Sequence, residues 1–66
     1  MAKIQITLKA ARINAGLTII EASKRLGVSH STLIKWEKNS GVVNPIIQTK
    51  ISDAYRLPID IIFFGQ

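Results

Sequence analysis

The stretch Thr18-Ile-Ile-Glu-Ala-Ser-Lys-Arg-Leu-Gly27-Val-Ser29-His-Ser-Thr-Leu-Ile-Lys-Trp36-Glu37-Lys38 reads as two short helices joined by one tight turn. Thr18 followed by Glu21 has the spacing of a capping box, in which each side chain satisfies a backbone donor of the first turn, so a helix is predicted to start at Ile19. Gly27 stands where a helix stops in the left-handed conformation, and Ser29 is placed to cap the next helix. Only Val28 separates the stop from the restart, which leaves room for nothing but a tight turn. Residues 18–38 therefore have the layout of a helix-turn-helix.

Outward from that segment the punctuation stays helical. Thr7 is a cap for a first helix running to about Ala15, with Leu8, Ala11 and Ala15 on one face and Gly16 ending it. Asn44-Pro45 opens another, since asparagine caps and proline suits the first helical position; it presents Ile47, Ile51 and Ala54 on one side and ends near Tyr55 or Arg56. Pro58 precedes a short apolar segment, Ile59 to Phe63, expected as a fifth helical element. Residues 39–43 read as the one loop, and Ile4-Gln5-Ile6 alternates like a strand but is too short to settle. The expectation is an all-α, compact five-helix bundle, one domain over residues 1–66.

Composition narrows the function. A chain of 66 residues with 47% hydrophobic content is near the size at which one core barely suffices, and without cysteine neither a disulfide nor a thiolate metal site can help. Self-association is the readiest further source of stability. No apolar run has the length of a membrane span and Met1-Ala2-Lys3-Ile4 opens no signal-peptide core, so the expected location is the cytoplasm. The four carboxylates form no catalytic arrangement, there is no glycine-rich phosphate loop, and His30 is a lone histidine without metal-ligand partners. An enzyme, a metal, a cofactor or a small-molecule ligand is not expected.

The net charge of +5 is lopsided. Lys3, Lys9, Arg12, Lys24, Arg25, Lys35 and Lys38 face only Glu21 and Glu37 in residues 1–38, whereas Lys50 and Arg56 balance Asp53 and Asp60 beyond them. A concentrated basic surface suits a polyanion, because neutralising phosphates releases counterions. Charge alone supports a merely solvated face equally well.

The ordered set Arg12, Gly16-Leu17-Thr18, Leu26-Gly27-Val28-Ser29, Trp36-Glu37, Asn44-Pro45, Ala54-Tyr55 and Ile59-Asp60 closely resembles the Cro and phage-repressor, XRE-like, helix-turn-helix family of transcription regulators. The resemblance covers about residues 7–63 and implies a lambda-repressor-like DNA-binding domain of phage or bacterial type. Its brevity is similar to the Cro-sized members. The resemblance also implies a repressor that binds a double-stranded DNA operator with two related half-sites as a homodimer.

Helical geometry distributes the residues of the second helix of the motif. Leu33 and Trp36 fall on one side and Ser31, Ile34, Lys35 and Lys38 on the other, and in a helix-turn-helix the outward face enters the major groove. Ser31 has donor and acceptor capacity for several bases, and Lys35 can reach guanine O6 and N7 or a phosphate. Ile34 suits a thymine methyl, with packing on a neighbouring helix as an equal alternative. The resemblance places side chains at His30 and Thr32 against bases or phosphates, pairs Arg12 with Glu37 and puts Trp36 in the core. Ser29 is foremost a cap, a use compatible with a DNA contact.

One position departs from the family pattern. Many members carry glutamine after the Thr18 cap, where it contacts phosphate; this chain has Ile19, which leaves only backbone N–H groups for that task, and Ile20 follows it. Phosphate contacts are then expected from Lys24, Lys38, Asn39 and the loop through Asn44.

The last residues carry Ile59, Ile61, Ile62, Phe63 and Phe64, more apolar surface than one short turn can bury, and a leftover apolar patch usually marks an interaction site. Residues 59–66 are therefore expected to form a dimer contact through Ile61 and Phe63 or Phe64; the alternative is that both rings fold back under the helix opened at Asn44. The resemblance puts Phe63 at a core position, which makes Phe64 the expected interface residue. The competing function is a helical protein-interaction module, such as an antitoxin or antirepressor, because the same fold serves both.

Overall fold

In the computed structural model, residues 4–65 are described; the parts of the expected domain and of the 59–66 contact that fall on residues 1–3 and 66 lie outside them. Helix α1, Leu8–Asn14, starts where Thr7 accepts a hydrogen bond from the Ala10 amide at 3.1 Å. Helix α2, Ile19–Leu26, begins with the full capping box: the Glu21 amide donates to Thr18 Oγ1 at 3.1 Å and the Thr18 amide donates to Glu21 Oε1 at 2.9 Å. Gly27 ends α2 in the left-handed region, φ 71°, a conformation that costs a side-chain-bearing residue about 1–2 kcal/mol. Helix α3, His30–Lys38, is capped by Ser29, and helix α4, Pro45–Tyr55, by Asn44, whose Oδ1 accepts from the Ile47 amide at 2.9 Å.

Among the described residues there are four α-helices, one fewer than expected. The segment expected as the fifth is a 3₁₀ turn, Ile59–Ile61, after which the chain runs extended. The reason lies far away in sequence. The Ile6 amide donates to the Ile61 carbonyl and the Phe63 amide to the Ile6 carbonyl, both at 2.8 Å, so Ile6 and Ile62 form a parallel bridge. Ile6 satisfies the backbone groups that a further helical turn would have had to pair internally. The strand-like alternation at 4–6 thus has a partner, limited to one bridge. The expected loop at 39–43 likewise contains a 3₁₀ turn, Ser40–Val42.

The core takes Leu8 and Ala11 from α1, Ala22 and Leu26 from α2, Leu33 from α3, Ile51 and Tyr55 from α4, with Leu17, Val43 and Ile62 closing it. Ala11 and Ala22 are wholly buried, and their small size permits close helix approach. Helix α2 packs on α3 and α4, and α1 on the same two helices. Trp36, Ile47 and Ala54 pack against this cluster from its margin, as the helical spacing predicts.

The tail reverses one expectation. Phe63 is 41% exposed, whereas Phe64 is half-buried against the core. Residues of an extended segment alternate sides, so with Ile62 inside, Phe63 points out and Phe64 turns back. A helical register over 59–63 would not alternate the two rings in this way. Ile61 is half-buried, and Ser40 Oγ donates to the Phe63 carbonyl at 3.0 Å, tying the tail to the turn after α3.

Candidate nucleic-acid interface

Helix α3 turns Leu33 fully inward and keeps Ser31, Ile34, Lys35 and Lys38 exposed on the opposite side. The N-terminus of α3 is organised by Ser29, whose Oγ accepts from the Thr32 amide at 3.2 Å and shares hydrogen bonds with Thr32 Oγ1 at 2.9 Å and Ser31 Oγ at 3.3 Å. These hydroxyls hold one another in place. Ser31 is thereby pre-oriented at the exposed start of the helix, while Thr32 is partly covered. His30 is exposed, and with Lys24, Val28, Ser29 and Ser31 it borders a shallow depression at the turn between α2 and α3. Candidates 24, 29, 30 and 31, assigned separately in the sequence, thus share one locality.

A second cleft runs where α1, the start of α2 and α3 meet, lined by Lys9, Arg12, Ile19, Ile34, Glu37 and Lys38. At its base the Arg12 Nε donates to Glu37 Oε2 at 2.7 Å, and Arg12 Nη1 donates to the Leu17 carbonyl at 2.9 Å. Both side chains are about nine-tenths buried. Arg12 is therefore absent from the basic surface and acts as a strut from α1 to α3, as the resemblance implies. Tyr55 stands in the same electrostatic environment: burial, then the Glu37 charge, push its phenol up to about 12, against the opposing pull of Arg12.

At the start of α2, the Thr18 amide and hydroxyl hold the Glu21 carboxyl below its ordinary range, so it is ionised at neutral pH. An anion approaching this helix end meets that charge and finds only the Ile19 and Ile20 amides left as donors. A phosphate held by backbone groups here would rely on the Ile19 and Ile20 amides, because the Thr18 amide is engaged by Glu21. Ile19 itself is half-buried against the core, and Ile20 is 52% exposed.

Asn39, expected as a phosphate contact, uses its Oδ1 to accept from the Gly41 amide at 3.3 Å and so caps the 3₁₀ turn. Its exposed amide donors stay available. Lys9 is the candidate that sequence reasoning passed over. It is exposed on α1 and reaches the site only because α1 packs beside α3, a proximity that no local motif records. Its membership in the basic half of the chain was the available signal. Among the described residues, no cluster of three or more histidine, cysteine or acidic side chains is placed to hold a metal ion, and no helix is long and apolar enough to cross a membrane.

Comparison with curated proteins and with solved structures returned no match. A family model described as helix-turn-helix matches residues 8–62, from the first residue of α1 to the bridge at Ile62. That span takes in the capping box, the left-handed Gly27, the Ser29 cap and the exposed face of α3. The chain belongs to the XRE-like helix-turn-helix family of DNA-binding transcription regulators.

Proposed function

We propose that the protein is a repressor that binds a specific double-stranded DNA operator as a homodimer, with α3 in the major groove and Ser31, Ile34 and Lys35 against base edges. The observation that carries this reading is the split of α3 into a buried apolar side and an exposed side that carries Ser31, Ile34, Lys35 and Lys38. Base-edge contacts supply specificity, and Lys24, Lys38, Lys9 and the Asn39 amide supply phosphate contacts that set register. His30 and Thr32 flank the reading residues, and Ser29 holds their helix end in place. A twofold contact through the C-terminal tail would set two copies of α3 about 34 Å apart, one DNA turn. The exposure of Phe63 favours it over Phe64 as the ring that crosses the axis, with Ile61 beside it.

The test is selection of bound sites from random duplex DNA, followed by alanine substitution. Ser31→Ala and Lys35→Ala are expected to relax preference at single base pairs, with about 1–3 kcal/mol lost at each good contact. Lys24→Ala and Lys38→Ala are expected to weaken all sequences alike and each lower the salt slope by about 1. A uniform loss for both groups rules out this reading face.

A further inference from the structure

The C-terminal ends of α1, α2 and α4 meet at a third cleft, lined by Asn14, Ala15, Arg25, Ala54, Tyr55 and Arg56. It shares no residue with the two clefts that hold the α3 candidates, and neither α3 nor the tail lines it. Two guanidinium groups border it and no carboxylate does. Arg25 acts on Glu21, one turn earlier, only through its charge, and among the described residues no hydrogen bond or ion pair engages the Arg25 or Arg56 side chain. Arg56 also keeps a strained backbone: its φ is 55°, in the left-handed region that disfavours any residue with a side chain. Glycine would end α4 there with less strain. Acceptors stand beside these donors. The carbonyls of Asn14 and Ala15 at the end of α1, and of Ala54 and Tyr55 at the end of α4, accept no backbone hydrogen bond among the described residues.

Cationic donors next to free carbonyls match a ligand that carries carboxylates and N–H groups side by side. The first turn of a helix has that pairing, because its N–H groups lack intrahelical partners and its positive end favours aspartate and glutamate. Both guanidinium groups are exposed, so the cleft is too open to enclose a small molecule. A duplex needs a row of cations along its phosphates, and Glu21 and Asp53, within one helical turn of Arg25 and Arg56, interrupt any such row. We infer that this cleft docks the acidic N-terminal turn of a helix in a partner protein, with Arg25 and Arg56 gripping its carboxylates and the carbonyls of α1 and α4 receiving its free amides. Arginine suits the task, since its planar fork pairs with a carboxylate through two parallel hydrogen bonds. Docking here does not require the operator reading above, because α3 takes no part in it.

The experiment uses the full chain with an excess of random-sequence duplex, which occupies the α3 face. Two fluorescein-labelled, alanine-based helical peptides of about 16 residues are compared by anisotropy, one with Asp-Glu-Glu in its first turn and the other with the same acids in its last. Equal composition cancels attraction that depends on charge alone. The first peptide is expected to bind about fivefold more tightly, and Arg25→Gln and Arg56→Gln are each expected to weaken it about tenfold, the loss of one charge-assisted pair. Both side chains are exposed, so the glutamine variants should keep the wild-type urea midpoint. Arg56→Gly separates docking from folding: relief of the left-handed backbone should raise the midpoint while peptide binding falls as in Arg56→Gln. Equal affinity for the two peptides, no binding of either at millimolar concentration, or binding that survives in both glutamine variants overturns the assignment. Binding that appears only when the duplex is left out belongs to the α3 face and overturns it as well.

Discussion

Cutting the Arg12–Glu37 strut tests whether α3 is held at its angle by a buried ion pair or by apolar packing alone. The pair is short, 2.7 Å, and the side chains are 10% and 9% exposed, so neither charge is well hydrated when its partner is removed. Breaking a buried pair of this kind costs about 3–5 kcal/mol, chiefly through the charge left behind. The two halves are not equivalent. Arg12→Met strands the Glu37 carboxylate and also the Leu17 carbonyl that Arg12 serves at 2.9 Å, which puts it at the upper end, about 4–5 kcal/mol. Glu37→Gln keeps an acceptor for Nε and leaves the Leu17 bond intact, so about 2–3 kcal/mol is expected. A chain of 66 residues has about 3–10 kcal/mol of stability in total, so Arg12→Met removes about half of it or more. The double variant Arg12→Met/Glu37→Met removes both charges and should recover most of the loss, because an apolar replacement leaves nothing stranded but the Leu17 carbonyl. Urea unfolding followed by the fluorescence of Trp36, the single tryptophan, reads all four proteins. Single variants that each cost under about 1 kcal/mol, or a double variant no more stable than Arg12→Met, would refute the argument.

The remaining tests reach other parts of the molecule. Gly27→Ala meets no atom within 4 Å of the added Cβ, so only the positive φ of 71° opposes it; a loss of about 1–2 kcal/mol is expected in urea, and a loss above that range would show a hidden clash. Tyr55 titrates at about 12 folded against about 10 unfolded, so its contribution to stability is complete below pH 10 and is lost as pH rises from there to about 12. Unfolding curves across that window should show the loss in wild type and a shallower one in Tyr55→Phe. For the tail, Phe63→Ser is expected to shift micromolar sedimentation from dimer to monomer with the fold retained, because Phe63 is 41% exposed. Phe64→Ser, which removes a ring packed against the core, should lower the melting temperature instead; a Phe63→Ser protein that stays dimeric sinks the proposed contact.

The helix-turn-helix was legible because its instructions are short-range. Thr18 and Glu21 cap each other, Gly27 alone supplies the left-handed stop, and Ser29 caps α3 from three residues before Thr32, so each decision is made by groups within one turn of the chain. The reading face of α3 follows from helical periodicity once its start is known. Interactions across long stretches of sequence left no such mark. Arg12 and Glu37 stand 25 residues apart, and only a family resemblance paired them. Lys9 joins the cleft through the packing of α1 beside α3, and Ile19 meets Ile34 there through the packing of α2 on α3. The tail was decided entirely by tertiary structure: Ile59 to Phe63 is apolar enough for a helix, but Ile6 offers its amide and carbonyl to the carbonyl of Ile61 and the amide of Phe63. An extended strand exchanges the two phenylalanines between core and solvent, and no local pattern distinguishes them, because the partner that selects that backbone lies at the other end of the domain.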